Sequence, residues 1–207
     1  YMYWEYPIEG VDIVGYSYAW GTLPNDNVDT PGLHYQTPQG MLHDGMRTFN
    51  LKAQNTAGQW SQMSSFEIWI DRGEPSVGTY FPKNGSTIST DTPTISISVS
   101  DELSGVSPQA IDMKINRSSV QASYDPASQA IAYIPSVPLS EGDNVVSLQV
   151  GDIVGNKTSP LVWSFKVDTR GPVGTVVINN QDALTNSVYV NLGLTAADGT
   201  TDVTAMA

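Results

Sequence analysis

Cysteine is absent from the 207 residues of this chain. Disulfide frameworks, zinc–thiolate sites and thiol nucleophiles are therefore excluded within this span. Basic residues are also few, since nine Lys and Arg stand against 21 Asp and Glu, which gives a net charge of −12. Phosphate binding depends on clusters of Lys and Arg, so no nucleic-acid partner is expected.

Long apolar runs and helix-forming stretches are also missing. No apolar run approaches the roughly 20 residues that a membrane helix needs, so no membrane span is expected in this segment. No basic stretch followed by an apolar core opens the chain, so no signal peptide is expected there. Val, Ile, Thr and Tyr fill the periodic segments between turns rich in Gly and Pro, and this composition favours strands.

An internal repeat is the clearest feature that is present. When the chain is shifted by 97 residues, one offset matches about thirty residues without a gap. About 100 residues is the usual size of one β-sandwich domain, so the offset predicts tandem sandwiches. The matched positions include Asp44 with Glu141, Phe49 with Val146, Gly58 with Gly155, Phe66 with Trp163, and Pro75 with Pro172.

Each copy of the repeat contains two segments with strand periodicity. Apolar residues alternate with polar ones over Phe49–Ala53 and again over Phe66–Ile70, with turn residues at 55–58 between them. The second copy shows the same alternation over Val146–Val150 and Leu161–Val167. Both copies are therefore predicted to form an antiparallel hairpin from the last two strands of a sandwich.

Short connectors that end in proline follow each copy, at Asp71–Pro75 and Asp168–Pro172. Proline cannot donate to a strand ladder and stiffens the chain, so these connectors predict domain boundaries. The predicted fold is all-β, with immunoglobulin-like sandwiches arranged end to end in a segment of a larger protein. We expect a first domain at 1–73 that lacks its first strand, a second at 74–170, and the start of a third at 171–207.

The first domain resembles a fibronectin type III domain. Trp4 matches the buried Trp on that family's second strand, and Gly15-Tyr16 match the Gly-Tyr that begins its third strand. The alternating segment from Phe49 to Ala57-Gly58 completes the resemblance, which covers residues 1–73. It implies a β-sandwich fold.

Residues 74–170 resemble a bacterial Ig-like repeat of large surface proteins and adhesins. The resemblance rests on a combination of short motifs, which are Ser100-Asp101 with Ser104-Gly105-Val106, Glu141-Gly142-Asp143-Asn144, Asp152 with Gly155-Asn156, and Val167-Asp168-Thr169 with Pro172. It implies an extracellular stalk at a bacterial cell surface. The implied partners are neighbouring Ig-like domains of the same or adjacent chains, and cell-surface glycans or proteins.

Catalytic motifs are not found. A hydrolytic triad needs a histidine held by a carboxylate beside a nucleophile. The two histidines, His34 and His43, lie in a loop region rich in Gly, Pro and Asp, and nothing in the pattern marks a nucleophile or a catalytic metal. The chain is therefore predicted not to be an enzyme and to need no cofactor.

Calcium is the ligand that the acidic residues favour. Ca²⁺ takes carboxylate and carbonyl oxygens, and such groups gather near the two connectors. The alternative is that these residues form turns and keep the surface soluble, because no EF-hand spacing occurs. The candidate ligands are Asp71, Glu74, Asp101, Asp152 and Asp168.

Aromatic residues crowd the first domain. Tyr16, Tyr18 and Trp20 share one face by their spacing of two, and we expect this face to be packed. The candidates for contact with a carbohydrate or a partner are Tyr1, Tyr3, Tyr6 and Trp69.

Three functions stay open at this point. The first is a structural or adhesive stalk, in which tandem sandwiches give reach and proline connectors give stiffness. The second is a filament subunit that assembles by strand addition between chains. The third is a carbohydrate-binding accessory module of a secreted enzyme that degrades polysaccharides, which requires exposed aromatic rings in a row.

Overall fold

The computed structural model describes residues 2–5, 12–38 and 40–205. The chain divides into two compact units, of which the first comprises Tyr1–Gly73 with Glu102–Ser104 and the second comprises Glu74–Asp101 with Gly105–Ala207. Strands dominate both units, so the predicted all-β sandwich fold is confirmed. Among the described residues, no helix is long and apolar enough to cross a membrane.

The first unit is built on a three-stranded antiparallel sheet in the order β2-β4-β5, accompanied by a two-stranded sheet of β1 and β3. Alternating side chains on β4 point to opposite faces of the larger sheet. The strands are β1 (Met2–Tyr3), β2 (Ile13–Trp20), β3 (His34–Tyr35), β4 (Gly45–Asn55) and β5 (Ser64–Ile70).

Aromatic rings form the core of the first unit, with Phe49 at the centre. The ring centroids of Tyr18 and Trp20 lie 5.9 and 5.0 Å from that of Phe49. The rings of Trp4, which follows β1, and of Tyr35 on β3 stack on Phe49 at 6.2 and 6.1 Å. The expectation that residues 16, 18 and 20 share a packed face is therefore confirmed.

The second unit contains a complete sandwich of two sheets, in the orders β10-β9-β13-β14-β7 and β11-β12-β8-β6. Most neighbours pair antiparallel, while β7 pairs parallel with β14. The strands are β6 (Ser76–Phe81), β7 (Thr87–Ile88), β8 (Ile95–Ser100), β9 (Val106–Ile115), β10 (Ser118–Val120), β11 (Ser123–Asp125), β12 (Ala130–Tyr133), β13 (Gly142–Asp152) and β14 (Leu161–Val167).

Alternation on the inner faces of the two sheets builds the core of this sandwich. On β8, the inward residues Ile95, Ile97 and Val99 are buried, while the serines between them are half-buried. The sheet that packs against β8 contributes a buried row from β13 and another from β14. The buried cluster is Ile95, Ile97, Val99, Val106, Met113, Ile115, Ile131, Val146, Leu148, Val150, Trp163, Phe165 and Val167.

A further hairpin follows the sandwich within the second unit. Strands β15 (Val173–Ile178) and β16 (Leu192–Ala197) pair antiparallel, and a short 3₁₀ turn at Asn179–Gln181 follows β15. These strands begin and end 97 residues after β6 and β8. The offset found in the sequence is therefore present in the strand boundaries as well.

The two predicted hairpins share one register. Strands β13 and β14 begin and end 97 residues after β4 and β5, and every ladder pair is shifted by the same number. The two copies therefore have the same topology, as the sequence predicted. The outermost pairs are Gly45 with Ile70 and Leu51 with Ser64 in the first hairpin, and Gly142 with Val167 and Leu148 with Leu161 in the second.

Candidate functional site

Asp152 organises the turn that follows β13. Its side chain is buried, and its Oδ1 accepts hydrogen bonds from the backbone N–H groups of Gly155 (2.6 Å) and Asn156 (2.8 Å). Its Oδ2 accepts a third bond from Asn156 Nδ2 at 2.7 Å. An aspartate that accepts bonds from the backbone just beyond it stabilises a turn, so the turn-forming interpretation applies to this residue.

Asn55 occupies the matching position after β4. Its Oδ1 accepts hydrogen bonds from the backbone N–H groups of Ala57 (3.1 Å) and Gln59 (2.9 Å). The turn therefore needs a side-chain oxygen at this position, but the first copy forms it without a negative charge. The charge of Asp152 is then available for a second role.

Asp101 lies close to Asp152 within the second unit. One carboxylate oxygen of each residue lies within 4.8 Å of one from the other. Asp101 Oδ1 accepts a hydrogen bond from Gly105 N at 2.7 Å, and Ile153 N donates to Gly105 O at 3.0 Å. Two carboxylates at this separation concentrate negative charge and offer oxygen ligands of the type that Ca²⁺ takes.

The connector aspartates, Asp71 and Asp168, accept hydrogen bonds from residues 33 positions further along the chain. In the first unit, Asp71 Oδ2 accepts a bond from Ser104 N at 3.0 Å. In the second unit, Asp168 Oδ2 accepts a bond from Thr201 Oγ1 at 2.7 Å. Because Ser104 and Thr201 are also 97 residues apart, the repeat includes these connectors as well as the strands.

The remaining calcium candidates lie apart from the Asp101–Asp152 pair. Glu74 lies beside Thr158 and Leu161 on the surface of the second unit. Asp168 is close to β7, since its backbone N–H donates to Ile88 O at 2.9 Å. Among the described residues of the second unit, the structure therefore brings together Asp101 and Asp152 from the predicted set. Calcium binding stays a prediction.

Two acidic residues at matching positions were missed as connector contacts by the sequence analysis. Asp44 Oδ1 accepts a bond from Arg72 Nε at 2.7 Å. Its counterpart Glu141 accepts bonds from the backbone N–H and the hydroxyl of Thr169, the counterpart of Arg72. The signal was available, because the offset of 97 residues pairs both the acids and their partners.

The candidate aromatic residues do not form one row. Tyr1 and Tyr6 lie outside the described residues. Tyr3 is 75 % exposed and lines an open groove of about 440 Å³ with Phe66 and Ile68 of β5. Trp69 is 66 % exposed, but it points to the opposite face of β5 from Phe66 and Ile68, because side chains alternate along a strand. Their roles in binding stay predictions.

Hydrogen bonds lower the pKa of two aspartates, Asp125 and Asp198, and burial raises that of Tyr18. The backbone N–H groups of Thr201 and Thr200 lower the pKa of Asp198, which is the counterpart of Asp101, below its ordinary value of 3.8. Burial raises the pKa of Tyr18 above 10.0, and the nearby Tyr35 and Asp29 raise it further.

Comparisons with known proteins give likenesses of fold. No protein-family model and no curated protein sequence matches the chain. Among solved structures, the fibronectin(III)-like modules of CbhA from Clostridium thermocellum match with a TM-score of 0.40 and 13% identity, over 77% of this chain and 80% of theirs. CopC from Methylosinus trichosporium OB3b matches with a TM-score of 0.38 and 16% identity, over 45% of this chain and 93% of CopC. Both TM-scores are below 0.5, so the details of the fold are argued from the chain's own strand pairing.

Proposed function

We propose that this chain is a non-catalytic spacer or stalk segment of an extracellular surface protein. One observation carries the proposal, which is that the repeat of 97 residues extends from the strand ladders into the turns and connectors. The hydroxyls of Ser61 and Thr158, which are 97 residues apart, show that side-chain hydrogen bonds repeat as well. They accept bonds from the backbone N–H groups of Ala53 (3.0 Å) and Val150 (3.1 Å), which are counterparts.

A repeated framework of this kind suits a mechanical role. In repeat proteins, each unit contributes its own stability and an interface with its neighbours, so length is gained by adding copies. Here the hydrogen bonds conserved between copies lie in the ladders, the turns and the connectors, which are the parts that hold shape. An acidic surface keeps such a chain soluble outside the cell.

Single-molecule stretching tests the spacer function. With handles at both ends of the chain, the sandwich of residues 74–170 is expected to unfold in one step and release about 300 Å of chain, at roughly 3.3–3.6 Å per residue. Trp163→Ala is expected to lower the force of this step, because Trp163 is buried in the sandwich core. A chain that lengthens gradually, without a step of this size, would contradict a load-carrying spacer.

Carbohydrate binding is a second candidate, supported by the exposed rings of Tyr3 and Trp69. Because these rings lie on different faces, each would act as a separate contact. Affinity electrophoresis in gels that contain soluble polysaccharides tests this function with Tyr3→Ala, Trp69→Ala and the outer-surface control Val162→Ala. If all three variants are retarded equally, neither ring binds the polysaccharide. If the unmodified chain is not retarded, the chain does not bind these polysaccharides.

A further inference from the structure

The last strand of each repeated hairpin has a different environment on its inner face. Trp163 on β14 is 2 % exposed, whereas its counterpart Phe66 on β5 is 58 % exposed. The two strands match residue for residue in length and register, so the difference does not come from the hairpins themselves. It comes from what lies over them.

Within the sandwich, part of the cover over β14 comes from one continuous segment, Ser76–Ile88. The ring of Tyr80, on β6, lies 4.7 Å from that of Trp163, centroid to centroid. At the other end of the segment, β7 pairs parallel with β14 and extends the sheet. A single continuous segment, which turns at Asn84-Gly85 between β6 and β7, thus supplies both an aromatic cover and a new edge strand.

Backbone hydrogen bonds join this segment to β14 along its edge. Lys166 N donates to Ser86 O at 2.8 Å, and Gly85 N donates to Ser164 O at 2.7 Å. On β5, the counterparts of Lys166 and Ser164 are Trp69 and Glu67. In the described part of the first unit β5 is the edge of its sheet, so no strand extends that sheet beyond it.

The groove of the first unit lies where this cover would sit. It is lined by Tyr3, Trp4, Phe49, Phe66 and other residues of β4 and β5, and it is largely apolar. An apolar groove beside an open strand edge is the arrangement that accepts an added β-strand, because the edge supplies backbone hydrogen bonds and the groove takes alternate side chains.

We propose that the first unit is a strand acceptor. Its ligand is a polypeptide segment with the chemistry of Ser76–Ile88, in which an aromatic residue is followed, after a turn, by an aliphatic one eight positions later. The aromatic ring packs on Phe66 as Tyr80 packs on Trp163, and the aliphatic end pairs parallel with β5 beside Trp69 and Ile70. The interface already exists once in this chain, between β6, β7 and β14.

Peptide binding to the full chain tests the acceptor. The probe is a fluorescein-labelled peptide of residues 76–88, followed by fluorescence polarisation. Saturable binding is expected, and a peptide with Tyr80→Ser is expected to bind about tenfold more weakly, because an aromatic pair contributes beyond its buried area. The proposal would be overturned if both peptides bound equally well. It would also be overturned if neither peptide bound at concentrations up to roughly 1 mM.

Matched chain variants locate the binding site. Phe66→Ser is expected to weaken binding at least tenfold while the far-UV spectrum stays unchanged, since Phe66 is mostly exposed. Val162→Ser is the control, because Val162 is 59 % exposed and lies on the outer surface of the second sandwich. If Phe66→Ser binds the peptide as well as the control does, the peptide is held elsewhere and the proposal fails.

A cysteine cross-link tests the register, and the absence of native cysteine makes the result clear. Thr87 pairs with Lys166 in the sandwich, so a Thr87→Cys peptide is expected to form a disulfide with the Trp69→Cys chain and not with a Val162→Cys chain. Equal cross-linking to both chains would overturn the parallel register.

Discussion

The hairpins β4–β5 and β13–β14 have the same ladder but differ in cover. Every pair in the second is the first shifted by 97 residues, yet Phe66 is mostly exposed where Trp163 is buried. The pairing of two strands follows from alternation and turn chemistry within about thirty residues. Burial of the last strand also depends on a segment outside the hairpin. The second hairpin has such a segment in Ser76–Ile88, and the described residues of the first unit contain no counterpart.

The turns of the two hairpins differ in the charge of one residue that has the same structural role in both. Asn55 and Asp152 each accept backbone hydrogen bonds within an equivalent turn, so an oxygen acceptor is what the turn requires. The negative charge is found in the second copy, where Asp101 is close to it. A residue can thus keep one structural role through a repeat while its charge changes.

The largest expected difference between the hairpins comes from truncating the two inner aromatic residues. Trp163→Ala is expected to destabilise the second sandwich by about 3–5 kcal/mol, because it leaves a cavity in a packed core, whereas Phe66→Ala is expected to cost about 1 kcal/mol or less. Hydrogen exchange measured by mass spectrometry on peptides from β13 and β4 separates the two effects. An equal loss of protection at both sites would mean that the groove of the first unit is covered in solution.

A matched substitution sharpens this test. Trp163→Phe introduces the residue type of the first copy and also removes the buried Trp163 Nε1–H, which has no acceptor in the described part of the chain. Loss of an unsatisfied buried donor offsets part of the lost packing, so we expect a cost below about 2 kcal/mol. A cost as large as that of Trp163→Ala would contradict this expectation.

Alanine substitutions in the two turns are expected to have the next largest effects. Asp152→Ala removes a buried carboxylate that accepts three hydrogen bonds and is expected to cost about 2–3 kcal/mol, compared with about 1 kcal/mol for Asn55→Ala. Asp152→Asn restores an oxygen acceptor and is expected to fall between wild type and alanine. Urea unfolding followed by hydrogen exchange in each turn provides the measurement. A larger cost for Asn55→Ala would contradict this ranking.

Added Ca²⁺ is expected to stabilise the charged turn of the second copy and not the neutral turn of the first. With a dissociation constant of about 1 mM, which is typical of extracellular sites, about 10 mM Ca²⁺ would stabilise the second sandwich by about 1.4 kcal/mol. Asp101→Asn is expected to remove this response, while Asn55→Ala is the control that keeps it. A thermal shift on Ca²⁺ addition that survives Asp101→Asn would remove this residue from the site.

The smallest expected effect is a pH response in the loop after β16. The pKa of Asp198 is lowered because its carboxylate accepts bonds from Thr201 N and Thr200 N. Its contribution to stability is therefore present above the ordinary value of 3.8 and is lost as the pH falls through the lowered pKa. NMR titration of the two threonine amides should show this transition, and Asp198→Asn should abolish it.

Alternation and the repeat together predicted the hairpins, because a period of two residues and a shared offset are written into the chain. Asp152 as a turn former was also predictable, since an aspartate just ahead of Gly155-Asn156 has turn chemistry. The offset of 97 residues pairs Asp44 with Glu141 and Arg72 with Thr169. That the acids contact these residues could be learned only from the coordinates. Which candidate carboxylates approach each other depends on the packing of two loops and could not be read from spacing.

One local difference between repeats shows how a single residue can alter a register. The β6–β8 ladder contains a bulge between Val77 and Tyr80, while β15–β16 pairs regularly. Gly78 lies in the bulge, and a Cβ there would stand 2.4 Å from Ser98 Oγ, whereas its counterpart Thr175 bonds Thr195 across the strands. Glycine permits this close approach, and threonine favours the regular cross-strand pair.

The amino-acid sequence alone determined where the strands of the two repeated hairpins lie, how these hairpins pair and at what spacing they repeat. These features follow from side-chain alternation, turn residues and the offset of 97 residues. The tertiary structure alone decided which inner faces are covered and which acidic residues meet. The burial of a strand and the distance between two carboxylates depend on segments that are far apart in the sequence. The alternation of side chains within one strand does not predict whether another strand packs over it.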